Sequence, residues 1–264
     1  STEKIIGTWL KKTGKREEIV LASKIAGPNP NFGYMRDKLD FSAASIQYAL
    51  DHTLQRLQTD YLDLYQLHWP ERKTNCFGQR GYKVQEDAWQ DNIHEVLEAL
   101  DGFVKAGKIK HIGLSNENPW GIMRFLEESK YHNLPRIKTI QNPYSLLNRL
   151  FENASAEVCM RENVGLLAYS PMAFGVLSGK FLTGEPHPNA RVNLFPQYSR
   201  YNSSNCTEAT KRYQEVAHKH GLTLTQLALA FLAQQPFLTS SIIGATTMEQ
   251  LKENIDTIDV VLSD

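Results

Sequence analysis

Two side chains in this sequence stand where an apolar run gives way to a polar loop. One is His68, after the strand-like segment Leu62–Leu67 of YLDLYQLHWP. The other is Lys24, after the run Ile19–Ser23 of EEIVLASK. A lysine at the end of a buried strand is costly unless its charge is paired or its pKa lowered, which makes it a better candidate for chemistry than a surface lysine. A histidine there is well placed for a reaction if the architecture is an α/β barrel, where the active site gathers at the C-terminal ends of the strands. Taken singly, each also reads as a satisfied core-edge residue or a strand-end charge. Four more strand-like segments end in polar or small residues: HIGLSN in Ser115 and Asn116, TIQNPYS in Gln141 and Asn142, VGLLAYSP in Tyr169 and Ser170, and SSIIGAT in the turn Gly244–Thr247. One such ending is routine. Six in series suggest a ring of site residues around one mouth, against the alternative that they merely solvate a barrel rim.

Several reaction classes lack their residues. Of the eight histidines, His218 and His220 are close in sequence, but positions i and i+2 on a helix diverge and cannot share an ion; no metal constellation is evident. No GxSxG elbow supports a serine hydrolase and no GxxxxGK[ST] supports phosphoryl transfer. None of the six endings is the Asp or Glu that glycoside hydrolysis needs. No GxGxxG follows a strand, which argues against a Rossmann fold. What remains is two amides, a hydroxyl and a tyrosine ring, a set suited to a flat heteroaromatic carboxamide. Asn116 and Gln141 offer reciprocal donors and acceptors to an amide, and Tyr169 offers a stacking face. The Gly244–Thr247 turn opens onto a helix N-terminus and is a reasonable phosphate cradle, to which Lys180 adds positive charge. Together these describe a nicotinamide dinucleotide.

Those side chains need elements to hold them. Apolar spacing and caps predict a helix over Thr2–Lys12 closed by Gly14, then the Lys24 strand, then a helix over Phe41–Leu57 with Ser42 as cap and Ile46, Leu50, Leu54 and Leu57 on one face. After the His68 strand, Glu71–Asn92 reads as a long irregular insertion, of a length that usually has a task. Helices follow over His94–Ala106, Pro119–Lys130 and Phe151–Glu162, separated by the strands Ile112–Leu114 and TIQNPYS. VGLLAYSP is the next strand; a Pro/Asn/Ser-rich loop then runs to Ser204. Helices over Thr207–His220 and Thr223–Gln235, the strand SSIIGAT and a helix over Met248–Ile255 complete the order. A helix followed by six strand–helix units predicts an α/β fold, a (β/α)8 TIM barrel forming a single domain over residues 1–264. An open six-stranded sheet is the alternative.

Composition narrows the class further. With 29 Lys+Arg against 29 Asp+Glu, nothing suggests bulk capture of nucleic acid or an anionic membrane. Three widely spaced cysteines, Cys76, Cys159 and Cys206, argue against a disulfide framework or structural zinc and suit a reducing cytoplasm. No apolar run approaches the ~20 residues of a membrane-spanning helix.

The strings IVLASK, YLDLYQLHWP, LEALDGFVKAGKIKHIGLSN, QNPYSLLNR, LLAYSPMAFGVLSGK and IIGATTMEQLKENI, in this order, resemble the aldo-keto reductase superfamily. They are most similar to its bacterial Tas-type members, relatives of the potassium-channel β subunits. The resemblance implies NADPH as cofactor and a small carbonyl compound as substrate. It implies that Lys24 lowers the pKa of a catalytic tyrosine and that His68 orients the substrate carbonyl. Ser115, Asn116 and Gln141 then bind the nicotinamide carboxamide, and Tyr169 stacks on its ring. Ser170 through Lys180, with Met172, Gly175 and Leu177 among them, form the loop over the pyrophosphate. Gly244, Thr246, Thr247, Gln250, Glu253 and Asn254 contact the 2′-phosphate, ribose and adenine. Trp69, Phe77 and Trp89 are the expected pocket walls.

The family's tyrosine and its partner aspartate, in a D-x-A-x-x-Y pattern after the second strand, have no match here; both, with strands 1 and 2, are expected before Ser1. Half of the Asp/Tyr/Lys/His tetrad is thus in view. An NADPH-dependent carbonyl reductase is the leading reading, and a non-catalytic NADPH-binding redox sensor or regulatory subunit is the alternative. NADPH calls for a cation near the 2′-phosphate. Thr246–Thr247 is followed by Met248 and Glu249, so Lys252 and Arg191 are the available substitutes.

Overall fold

Among the described residues six strands alternate with helices; counted in chain order, the first and second, second and third, third and fourth, and fifth and sixth strands pair in parallel. This is the α/β architecture of the (β/α)8 barrel class expected from the sequence. The structure, a computed structural model, describes residues 1–36, 38–195 and 197–263. It divides into two compact units, residues 1–141 and 142–264.

In the first unit, helix α1 (Thr2–Thr13) ends at Gly14, whose left-handed backbone lets its N–H reach Leu10 O. Leu10 is buried, whereas Ile5 and Trp9 face solvent. Strand β1 (Ala22–Ile25) begins later than the apolar run suggests. Arg16–Glu18 is a 3-10 turn and Val20 is 81% exposed, so Lys24 lies inside the strand rather than after it. Helix α2 (Ala43–Leu57) is capped as expected, Ser42 Oγ accepting from Ser45 N, and it buries Ile46, Leu50, Leu54 and Leu57. All six residues of β2 (Leu62–Leu67) are buried. Helix α3 (Ile93–Lys105), strand β3 (Ile109–Ser115), helix α4 (Pro119–His132) and strand β4 (Ile137–Pro143) follow. Strand β3 starts three residues before its apolar run because Lys110 and His111 are exposed positions of the same strand. Below the strands, Asp63 accepts hydrogen bonds from Leu21 N at 2.9 Å and Lys110 Nζ at 2.9 Å and pairs with Arg16 at 2.8 Å.

In the second unit, the expected helix over Phe151–Glu162 is broken. Leu150–Asn153 forms a 3-10 turn and α5 (Ser155–Glu162) restarts after Ala154, whose φ of −153° is not helical. Strand β5 (Gly165–Tyr169) precedes two short 3-10 helices, Ala173–Ser178 and Lys180–Leu182, and the single turn α6 (Arg191–Leu194). Helices α7 (Ser204–Lys219) and α8 (Leu224–Ala233) follow, the latter opened by a capping box of Thr223 and Gln226. Strand β6 (Leu238–Ser241) lies earlier than SSIIGAT predicts. It pairs with β5 from Leu166↔Leu238 to Ala168↔Ser241, and β5 itself stops at Tyr169, leaving Gly244 three residues past the strand. Helix α9 (Met248–Asp256) closes the order, capped by Thr247. The core of this unit joins Leu146, Ala173, Leu177, Tyr201, Leu224 and Ala228, with Tyr144 packed against Phe151, Phe231 and Phe237.

The register of the first unit decides which side chains share a face. Lys24 pairs with Gln66, Gln66 with Gly113, Gly113 with Thr139 and Ser115 with Gln141. In-register residues of a sheet point the same way, and His68 follows Gln66 at i+2. Lys24, Gln66, His68, Ser115, Thr139 and Gln141 therefore belong to one face, with the apolar Tyr65, Leu67, Ile112 and Leu114 on the other. The other side of α2 meets α1 closely: a Cβ on Gly7 would lie 2.5 Å from Arg56 O and 2.8 Å from Leu57 C. Backbone cannot yield there as a side-chain tip can. Gly7→Ala should lower the unfolding free energy by about 1–3 kcal/mol in urea titrations, with the far-UV spectrum of the native state unchanged.

Candidate active site

The carboxyl ends of β2, β3 and β4 are knotted together by one side chain. Asn116 follows β3 with a left-handed backbone (φ 54°), and its N–H donates to Gln141 O at 3.1 Å. Its Nδ2 donates to His68 O at 3.0 Å and to Ser115 Oγ at 3.1 Å, and Ser115 Oγ donates to Gln141 O at 2.8 Å. Asparagine is the residue that best tolerates this backbone conformation outside glycine. Ser115 and Asn116 are buried, and Gln141 is half-buried. Three of the expected carboxamide binders thus stand together, already hydrogen-bonded to one another.

His68 and Lys24 lie on the same face. Burial, reinforced by the charge of Lys24, pushes the His68 pKa down to about 4, so its imidazole is neutral at physiological pH. Burial also lowers the Lys24 pKa, and among the described residues no carboxylate pairs with it. The His68 N–H donates to Ile25 O at 2.9 Å, and its ring rests 4.7 Å from that of Trp69. Two further polar atoms of this face, Gln66 Oε1 and Thr139 Oγ1, are buried without a hydrogen-bond partner, an arrangement that invites a polar ligand.

Two of the three expected pocket walls share a cavity. Trp69 is 8% exposed, held by Nε1–H to Pro28 O (3.0 Å) and flanked by Phe32 and Phe77 at 5.9 Å each. Gly27 makes this possible, since a Cβ there would sit 2.7 Å from the indole nitrogen. Trp89 instead donates to Asn92 Oδ1 at 3.0 Å and meets Trp120 edge-on. Trp69 and Trp89 line one cavity with Arg72, Glu117, Phe41 and Phe125; Phe77 is outside it.

Residues that the sequence did not single out hold the insertion in place. Arg72 grips the nearly buried Glu117 through two bonds, Nη1 to Oε2 at 2.9 Å and Nη2 to Oε1, with its guanidinium over the Trp120 ring. The Glu117 carboxylate also accepts from Asn118 N at 2.7 Å at the start of α4, where Gly121 leaves room for it. Glu71 accepts from Phe41 N and Asn92 Nδ2, and Asn118 Nδ2 donates to Thr74 Oγ1 and Asn75 O. Arg72 and Glu117 are 45 residues apart in the chain, so only tertiary structure reveals the pair.

In the second unit the expected cofactor residues fall in two segments. Tyr169 ends β5, with its carbonyl accepting from Tyr144 N at 3.3 Å. From Ser170 the chain turns sharply: Ser170, Ala173, Phe174, Gly175 and Gly179 all have positive φ. Leu177 is fully buried and Met172 packs against the same core, so these two anchor the loop, and the Met172 carbonyl accepts from Gly175 and Leu177. Lys180 Nζ lies 3.6 Å from where a Gly175 Cβ would be. The other segment is the start of α9. Thr246 donates through N–H and Oγ1 to Gln250 Oε1 at 3.0 Å, Thr247 Oγ1 accepts from Gln250 N, and Glu253 accepts from Thr223 Oγ1 at 2.7 Å. Gly244 is exposed and Asn254 half-buried. Helix α8 packs on both segments. Of the substitute cations, Arg191 stacks on Tyr198 at 4.3 Å and Lys252 pairs with Asp256.

A sequence model described as "Aldo/keto reductase family" matches residues 1–264. "Protein tas" of Escherichia coli (strain K12) is 48% identical over 264 residues, which is 100% of this chain and 76% of that protein. "Aldo-keto reductase yakc [NADP(+)]" of Schizosaccharomyces pombe is 29% identical, covering 100% of this chain and 72% of its own. "NADH-specific methylglyoxal reductase" of Escherichia coli (strain K12) is 28% identical, covering 100% and 76%.

Two outcomes follow from this geometry. Arg72→Met leaves a buried carboxylate without its cation and should cost about 3–5 kcal/mol in denaturant unfolding, with Glu117→Gln in the same chain restoring a large part. His68 titrates near 4 in the folded chain and near its ordinary 6.5 when unfolded. The unfolded state therefore binds more protons between those values, and the stability of the folded state falls as pH drops from 6.5 to 4. His68→Gln should flatten that part of the pH–stability curve, by no more than about 3 kcal/mol at its lower end.

Proposed function

We propose, from the premise that the chain belongs to the aldo/keto reductase family, that it reduces the carbonyl of a small aldehyde or ketone with NADPH, Lys24 and His68 acting at the carbonyl oxygen. The observation that carries this reading is a half-buried Lys24, without a carboxylate partner among the described residues, on the same strand face as a neutral His68.

The residues present suit a nicotinamide dinucleotide. Ser115, Asn116 and Gln141 would hold the carboxamide and Tyr169 the ring. The turn from Ser170 through Lys180 would lie along the pyrophosphate, and Thr246 to Asn254 would take the adenosine end. Consecutive left-handed residues turn backbone N–H groups into an anion-binding concavity, and Phe174 is held in that strained conformation between Tyr198 and Tyr201 at 5.2 and 5.1 Å. A bound reduced nicotinamide supplies hydride to the carbonyl carbon. Neutral His68 would donate its ring N–H to the carbonyl oxygen and so orient it. The Lys24 ammonium, its own charge disfavoured by burial, stabilises negative charge beside it and thereby eases proton donation by an adjacent hydroxyl. Tyr65 does not supply that hydroxyl: burial raises its pKa, and its charged neighbours are Arg36, Glu3 and Arg56. Tyr34 is exposed to solvent. The same strand-end cluster would also serve a second reading, a cofactor-binding redox sensor without turnover.

Cofactor preference turns on α9. The Glu249 carboxylate accepts from its own backbone N–H and from Thr247, which holds it ionised at the helix start, where a 2′-phosphate must displace it. Among the described residues no helix is long and apolar enough to cross a membrane. Among the described residues no disulfide is formed, in keeping with a cytoplasmic protein, and burial pushes the Cys159 thiol up to about 12.

The test is fluorescence titration with NADPH and NADH, followed by turnover of an aldehyde and ketone panel. The expected result is NADPH binding that Glu249→Gln tightens several-fold, with turnover. Lys24→Met should lower kcat with little change in cofactor Kd, and His68→Gln should raise KM. Binding without turnover of any carbonyl would establish the sensor instead. No binding of either nucleotide overturns both readings.

A further inference from the structure

Away from the strand ends, helices α3 and α4 bring His94, Glu128 and His132 together, one ligand atom of each lying within 4.8 Å of the others. The sequence gives no hint of this: His94 is 34 residues from Glu128, and only the Glu128–His132 step has helical i, i+4 spacing. We propose that these three residues form a binding site for a divalent transition metal of the Zn2+ class, which clips α3 to α4.

The geometry is that of ligands around one small ion. His94 Nδ1 and His132 Nε2 each lie 3.3 Å from Glu128 Oε2. Zinc bonds of about 2.0–2.1 Å at a tetrahedral angle put neighbouring donor atoms about 3.3–3.4 Å apart. The two imidazole planes are inclined at 71°, so the rings converge rather than stack.

The surrounding contacts orient the donors. The far nitrogen of His94, Nε2, is 3.4 Å from Glu98 Oε1, the outer carboxylate that commonly fixes the tautomer of a metal-bound histidine. Arg124 Nη2 donates to Glu128 Oε1 at 2.8 Å, which occupies one carboxylate oxygen and leaves Oε2 toward the imidazoles. Hydrogen bonding to Arg124 keeps Glu128 ionised. Arg124 would repel a metal if its charge stood alone, but it also bonds Asp91 at 2.9 Å and Glu127 at 3.4 Å. Two imidazoles and one carboxylate select Zn2+, Co2+, Ni2+ or Cu2+ over Mg2+ and Ca2+, which prefer all-oxygen shells. His132 is half exposed, so an ion can enter from solvent and keep water as a fourth ligand.

The alternative is that Glu128 simply bridges the two imidazoles by polar contact without an ion. Calorimetric titration of the full chain with Zn2+ at neutral pH, after treatment with a chelator, separates the two. One site in the micromolar range is expected, weakened at least ten-fold by His94→Ala and by His132→Ala, and unaffected by His218→Ala. Co2+ should give the visible absorption of a tetrahedral nitrogen–oxygen site, bleached by Zn2+. Thermal melts of each variant confirm folding, and wild-type protein alone should gain Tm with Zn2+. Absence of Zn2+ binding by folded wild-type protein overturns the proposal. So does a Zn2+ affinity in folded His94→Ala and His132→Ala that equals that of the wild type.

Discussion

The strand-end site depends on the amide of Asn116. A parallel sheet fixes each strand to its neighbours through backbone bonds, but those bonds stop where the strands stop, and the residues of interest lie at that limit. Asn116 extends the order past it. Its backbone N–H and the Ser115 hydroxyl converge on Gln141 O, while its side chain reaches His68 O. Three separate strand ends become one unit. The left-handed backbone at Asn116 costs about 1–2 kcal/mol, less than leaving several buried polar groups without partners. Because these groups are hydrogen-bonded to one another before any ligand arrives, the carboxamide proposed for this site would meet groups already in place, with little ordering entropy left to lose.

Electrostatics on the same face follows from burial. Lys24 and His68 both prefer water, and both have lost part of it. Their mutual repulsion is resolved on the histidine, which gives up its proton because imidazole has the lower ordinary pKa. A neutral donor–acceptor and a cation eager for an anion are thus obtained from two residues with no catalytic character of their own. The strand register, Lys24 against Gln66 with His68 two residues on, is what keeps them on one side.

How much of this is legible in the sequence depends on which force sets each feature. The β2 strand is read correctly because Leu62, Leu64, Tyr65 and Leu67 mark it as buried on both faces, although Asp63 and Gln66 are buried with them. Helix α2 shows its caps and stripe plainly. Strand β6 is misplaced because Ile242 and Ile243 look like core, yet the register with β5 ends at Ser241, Ile242 keeps one last bond to Ala168 O, and both isoleucines are 38% exposed. The helix over Phe151–Glu162 is broken at a backbone angle that residue types do not encode. His68, Ser115 and Asn116 are legible as strand endings, whereas Lys24 and Gln141 are legible as polar residues but lie inside strands that continue past them. Arg72 with Glu117, and His94 with Glu128 and His132, are not legible, because each set draws on elements far apart in sequence.

The Arg72–Glu117 pair explains why an irregular segment as long as Glu71–Asn92 stays beside the strand ends. A loop of that length without secondary structure pays a large conformational entropy unless it is fastened at several points. Here the fasteners are polar and cluster at its beginning: Glu71 to Phe41 N, Arg72 to Glu117, and Thr74 and Asn75 to Asn118. Apolar fastening would have tolerated sliding, since hydrophobic contact is non-directional. A bidentate guanidinium–carboxylate pair admits one geometry. Trp69 is fixed independently by Pro28 O and the absence of a side chain at Gly27. The walls beside His68 are therefore held by directional bonds on both sides, and variation in the rest of the insertion can proceed without moving them.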